Sequence, residues 1–116
     1  MMRTCCLTFL LVLVLLTCFA VSANQRKKKQ LTAAQLYTRQ CASCHGADGR
    51  AKTSKGKFSH ARDLTDAKWQ EDVTDERIFN SIMNGRNVRG NMPAFSDKLN
   101  EKEVESLVSF VRRFKG

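Results

Sequence analysis

Cys41-Ala42-Ser43-Cys44-His45 is the stretch on which the fold turns. Residues three apart share one face of a helix, so a helical turn here presents two thiols side by side, with an imidazole directly after them. The other three cysteines, Cys5, Cys6 and Cys18, fall in an N-terminal stretch with the order of an export leader. Arg3 supplies the positive start, Leu7 to Phe19 the apolar run, and Val21-Ser22-Ala23 the small residues before a cut. The apolar run is short for a transmembrane helix, and an uncleaved N-terminal anchor is the alternative. Residues 1–23 are therefore read as signal peptide, 24–30 as a basic tail, and 31–116 as one folded domain.

What remains after the leader is 93 residues, enough for one small domain and too few for two. A two-domain enzyme with separate cofactor and substrate halves is excluded, as is a large α/β barrel. The exported part keeps only Cys41 and Cys44. A bridge between residues three apart would close almost no loop and so add little stability. The pair must serve chemistry, or hold something other than the chain.

Without Arg3 the chain carries 19 basic against 11 acidic residues, a net charge of +8. The run Arg26-Lys27-Lys28-Lys29 opens the mature sequence. It reads first as a solvated tail, and second as a site of transient contact with an anionic membrane surface or an acidic partner. No aromatic residues interleave with it, which argues against nucleic-acid binding.

Three segments carry complete helix signals. Thr32 caps the first with Gln35 reaching back, and Leu31 staples onto Leu36. Thr74 caps the second, where Ile78, Phe79, Ile82 and Met83 share a face and Asn84-Gly85 ends the run. Asn100 and Glu103 open the third, striped by Val104, Leu107, Val108 and Val111, with Arg112, Arg113 and Lys115 suited to the negative end of its dipole. No stretch alternates well enough for a strand, so the fold class is all-α. Residues 46–72 read as a long polar loop in which Phe58, Leu64 and Trp69 pack inward and Leu64 to Gln70 forms a helical turn. So small a domain commonly needs a staple beyond its own core.

The C-x-x-C-H pattern is the attachment signal for c-type haem, which would supply that staple. Both thiols add to the vinyl groups of one porphyrin edge, and the following His swings under the iron. Zinc would need four ligands, and only Cys41, Cys44, His45 and His60 are on offer, two of them adjacent. A redox dithiol belongs on a strand–helix unit, which this helix-rich pattern does not provide.

With the first helix leading into Cys41-Ala-Ser-Cys-His45-Gly46, the later Asn91-Met92-Pro93-Ala94-Phe95 and a last helix through Glu103 to Val111, the chain resembles a class I cytochrome c over nearly the whole mature domain. Ala61-Arg62-Asp63-Leu64-Thr65 and Asp75-Glu76-Arg77-Ile78 are most similar to small bacterial periplasmic cytochromes and to oxidase-attached cytochrome domains. The resemblance implies three main helices around one covalently bound haem c, with Cys41 and Cys44 as thioether anchors and His45 and Met92 as axial ligands of the iron. Met83, on a helical face with Phe79 and Ile82, reads as core instead, and His60 as a surface histidine. First and last helices would meet near the motif, Leu36 and Tyr37 against Leu107, Phe110 and Val111.

The implied role is a periplasmic electron carrier without catalysis of its own, with redox proteins as partners, docked through Lys52, Lys55, Lys57 and Arg89 onto acidic surfaces. Trp69 and Arg62 are candidates for the haem propionates, with Trp69 as plain core the alternative. A fixed subunit of an oxidase or dehydrogenase, or an open-site peroxidase or gas sensor, are the competing roles. One departure stands out. Relatives often use a Pro carbonyl after the motif to accept the proton of the haem His, whereas Pro93 is the only Pro here, so another carbonyl, expected between Gly46 and Thr53, takes that place.

Overall fold

The computed structural model describes residues 30–115. The chain divides into two units, Met1–Gln30 and Leu31–Gly116, and the described structure lies almost wholly in the second. The proposed leader and all of the basic tail except Gln30 lie outside the described residues. Within them are six helices: α1 Ala33–Gln40, α2 Ala42–His45, α3 Ser54–Phe58, α4 Ala67–Asp72, α5 Asp75–Asn84 and α6 Glu101–Arg112. Extended pairing among the described residues is confined to one antiparallel bridge, Arg86 with Met92.

The three long helices begin at the residues that signal them. Thr32 accepts from Gln35 N–H while the Gln35 side chain accepts from Thr32 N–H, closing a capping box on α1. Asn100 and Glu103 close the same box on α6. Thr74 caps α5, and Gly85 ends it. Their apolar faces meet in one core: Leu36 and Tyr37 from α1, Ile78 and Ile82 from α5, and Val104, Leu107, Val108 and Val111 from α6. Val104 and Leu107 are wholly shielded from solvent, at 0% exposure. Helix α6 packs against both α1 and α5. Tyr37, Phe110 and Phe114 cluster at the first of these contacts, with ring centroids 4.9 to 5.5 Å apart. The expected meeting of first and last helices is present.

The polar stretch after the motif departs from its reading as a loop. It holds two short helices, each with its own cap: Thr53 on α3 and Asp66 on α4. The helical turn expected over Leu64 to Gln70 lies slightly later, over Ala67–Asp72, because Asp66 captures the Trp69 N–H and sets the start. Leu64 is buried and Trp69 packs against the core. Phe58, expected inside, is 89% exposed. Helix α3 is little more than a turn, and the residue it buries is Gly56, leaving Phe58 outside.

Arg112 does more than complement its own helix dipole. Its guanidinium reaches across to α4, donating to the Gln70 and Val73 carbonyls, both at 2.6 Å, and to Asp75 Oδ1 at 2.7 Å. Those carbonyls belong to the last turn of α4 and its cap, so one side chain supplies donors they would otherwise lack. Gln70, the one buried polar side chain in the described core, bonds Leu64 O and Val111 O and completes the tie.

Candidate functional site

Helices α1 and α2 are almost continuous. Cys41 is the junction, and its carbonyl accepts from Cys44 N–H at 3.1 Å and from His45 N–H at 2.9 Å. The two thiols thus stand one helical turn apart, both partly buried and not joined to each other. Burial first, and the neighbouring Cys44 second, push the Cys41 thiol up to about 12. At neutral pH it is a neutral thiol, without the thiolate that dithiol exchange uses.

Two side chains and one main-chain carbonyl brace the turn from outside. The Tyr37 hydroxyl donates to Gly46 O at 2.8 Å. Burial, with smaller contributions from Cys41 and Asp48, raises the pKa of that phenol well above its ordinary value, so the donor keeps its proton. Thr53 shares its hydroxyl proton between Ser43 O at 2.8 Å and Cys44 O at 3.0 Å, and accepts from Gly56 N–H. The third brace is on the imidazole itself: His45 Nδ1 lies 2.9 Å from the carbonyl oxygen of Arg62.

A carbonyl only accepts, so Nδ1 carries the proton and Nε2 is left as a bare lone pair. That is the tautomer a metal-ligating histidine needs, held by the kind of partner that orients such ligands. Burial pushes the imidazole below its ordinary pKa, and the bond to Arg62 offsets only part of this. The neutral ring is favoured. The acceptor lies well beyond the Gly46–Thr53 region where it was expected. There, Ala51 N–H takes up His45 O and Thr53 faces the other side of the turn, whereas the chain returns to His45 only after α3. The Arg62 side chain is exposed, and its main chain does the work.

Met92 sits in a separate loop, pinned at both ends. Arg86 N–H donates to Met92 O and Met92 N–H to Arg86 O, each at 2.8 Å, closing the bridge. Beyond Pro93, Phe95 is buried and its N–H bonds Ile82 O at 3.0 Å. Gly85 makes this possible. Its φ is +72°, and a Cβ there would lie 2.6 Å from Met92 O and 2.7 Å from Ala94 N. The sequence marked Gly85 only as a helix stop, and its role as the floor under Met92 was not legible. Met83 packs on the core from α5, as expected. His60 is exposed, with a φ of +51°, and belongs to the turn after α3.

Among the described residues no three of His, Cys, Asp or Glu gather as a metal site, so the zinc arrangement weighed from sequence lacks a ligand set. The donor chemistry fits a haem instead: two unpaired thiols on one turn, an imidazole with its Nε2 free, and a thioether on a braced loop. No helix among the described residues is long and apolar enough to cross a membrane.

Comparison with known proteins points the same way. Residues 29–111 match the family described as cytochrome c oxidase, cbb3-type, subunit III. The chain is 32% identical over 82 residues to a cbb3-type cytochrome c oxidase subunit FixPc of Rhizobium leguminosarum bv. viciae, covering 71% of this chain and 26% of that protein. It is 33% identical over 79 residues to cytochrome c6 of Bryopsis maxima, covering 67% of this chain and 83% of that protein. Among solved structures, the c-type cytochrome KustC0563 is 40% identical with a TM-score of 0.68, covering 74% of this chain and all of that one. The chain thus spans about a quarter of the length of the oxidase subunits it matches.

Proposed function

From the premise that the chain belongs to the cbb3-type cytochrome c oxidase subunit III family, a c-type cytochrome with covalently bound haem c, we propose that it carries single electrons between redox proteins. When bound, the haem supplies a one-electron ferrous–ferric couple, which a thioether ligand biases toward the ferrous side. The residues of the chain do the rest. Cys41 and Cys44 tether the porphyrin edge through thioether bonds. His45 offers Nε2 to the iron, fixed in direction and basicity by the Arg62 carbonyl. Met92 would supply its thioether as the second ligand, carried by a loop that Gly85 and Phe95 hold in place. Held by His45 and Met92 together, the group would leave no position for a substrate, and the domain would act as a carrier without catalysis of its own.

The observation that carries this reading is the bond from His45 Nδ1 to Arg62 O, which leaves Nε2 free on the same turn as two unpaired thiols. Partner choice follows from charge. Residues 50–62 hold Arg50, Lys52, Lys55, Lys57 and Arg62 without one acid, and residues 86–91 add Arg86 and Arg89. All seven are exposed. In contrast, residues 63–76 set Asp63, Asp66, Glu71, Asp72, Asp75 and Glu76 against Lys68 alone. The two basic segments touch, and they carry the two large apolar side chains exposed among the described residues, Phe58 at 89% and Val88 at 73%. Exposed apolar side chains on two touching basic segments suit an acidic redox protein, with steering that weakens as salt rises. The site of action is the periplasm, after removal of residues 1–23.

A spectroelectrochemical titration of the mature holo-protein tests the role: one reversible one-electron wave supports a carrier, and peroxide turnover at an open ferric site would contradict it. A second role, as a fixed oxidase subunit, is favoured by relatives in which the matched region is about a quarter of a larger subunit. Stable co-purification with an oxidase, undiminished at high salt, would select it.

A further inference from the structure

The loop that presents Met92 and the segment that holds His45 are fastened together. Asn91 N–H donates to Ser59 O at 2.9 Å. Gly90 lies so close beneath the same turn that a Cβ there would stand 2.9 Å from His60 O and 3.2 Å from Ser59 O. Two residues past His60 is Arg62, whose carbonyl accepts the His45 proton. One residue past Asn91 is Met92. Among the described residues, no other hydrogen bond runs directly between residues 31–66 and residues 74–100. Backbone strain also collects at this contact. His60 at φ +51° and Arg89 at φ +62° are two of the three non-glycine residues with positive φ among those described, and such strain persists only where the surroundings over-determine it.

We propose that this contact, Gly90 and Asn91 on Ser59 and His60, is a latch that makes the segments presenting His45 and Met92 one mechanical unit, so that the Met92 loop keeps its place because the His45 segment holds it. The proposal rests on His45 and Met92 being the ligands. Gly90 and Asn91 are positioning residues that act through the backbone on both ligands. Gly90 is well suited as a probe, since its φ lies outside the left-handed region. An Ala there avoids the left-handed strain and meets the His60 and Ser59 carbonyls it must push away.

The test uses the ferric holo-protein with imidazole as a competing ligand. Parent, Gly90→Ala and Met92→Ala are compared by the weak far-red band, by imidazole affinity and by the proton resonance of His45 Nδ1–H. Expected for Gly90→Ala are imidazole binding at least threefold tighter and a shifted His45 Nδ1–H resonance, with far-UV helicity unchanged. The resonance is read in the ferrous, diamagnetic state, where no paramagnetic shift follows the Met92 ligand and simple loosening of the Met92 loop leaves it where it is. Less than a threefold change in imidazole affinity, or an unmoved resonance, overturns the latch. A far-red band indifferent to Met92→Ala overturns instead the ligand assignment beneath it. Should Gly90→Ala fail to fold, hydrogen exchange of the Asn91 amide in the unsubstituted holo-protein decides. Protection that is lost when imidazole displaces Met92 supports the latch, and exchange at the unprotected rate in the parent overturns it.

Discussion

The contact of α6 with α1 and α5 and the face built by residues 46–64 and 85–92 are held by different forces. At the first, Val104, Leu107, Val111, Leu36 and the Tyr37–Phe110–Phe114 cluster bury apolar surface between capped helices. At the second, apart from Ala51 and Leu64, little apolar surface is buried. Backbone hydrogen bonds, a threonine hydroxyl and glycine contacts do the holding, and Phe58 and Val88 face solvent. Hydrophobic burial is non-directional and supplies bulk stability, whereas hydrogen bonds fix direction, which an imidazole or a thioether must have to meet a metal. The domain therefore draws its stability from one side and its geometry from the other.

The largest expected effect strikes the first side. Leu107→Ala removes a fully shielded side chain from the shared face of α6, at a cost of about 2–5 kcal/mol. Thermal unfolding should shift down as a single transition, with site and fold lost together. Loss of the far-red band before the helices melt would mean that the two sides are not one cooperative unit. Arg112→Met comes next. It leaves the Gln70 and Val73 carbonyls without their donor, costing roughly 1–3 kcal/mol. Denaturant titration should register that loss while the spectrum of the bound haem is unchanged.

Gly85→Ala reverses the pattern. Placing a Cβ at φ +72° costs about 1–2 kcal/mol, and the contact with Met92 O and Ala94 N displaces the loop. Here the far-red band should fade while far-UV helicity persists. A band of full strength would contradict the part assigned to Gly85 as the floor of Met92. The smallest effect on stability is expected from Lys55→Glu and Lys57→Glu, both exposed, within about 0.5 kcal/mol. Their effect belongs to association: slower electron exchange with an acidic partner at low salt, converging on the parent rate as ionic strength rises. Rates insensitive to either charge would remove this face from docking.

The same contrast explains what was legible in the sequence. Thr32 with Gln35, Thr74, and Asn100 with Glu103 are side-chain signals acting within one turn, so all three long helices and their starts could be read directly. The C-x-x-C-H motif is equally local. Thr53 and Asp66 also carry cap signals, but α3 and α4 are too short to show an apolar stripe, and the stretch read as loop. Phe58 reads as inward-facing because it is apolar, whereas α3 buries Gly56. The acceptor for His45 was out of reach for a different reason. It is a main-chain carbonyl, which every residue has, and only the path of the chain after α3 selects Arg62. Gly85 and Gly90 likewise act through what they lack, and a missing Cβ shows its purpose only against the backbone that comes close to it.

The central claim is that His45 and Met92 together complete the coordination of the haem iron. Absorption spectra of the mature ferric and ferrous protein, taken beside Met92→Ala, test it most directly. The account predicts a weak far-red band in the ferric protein that disappears in the variant. A high-spin spectrum in the unsubstituted protein, or a band that survives the loss of Met92, would contradict it.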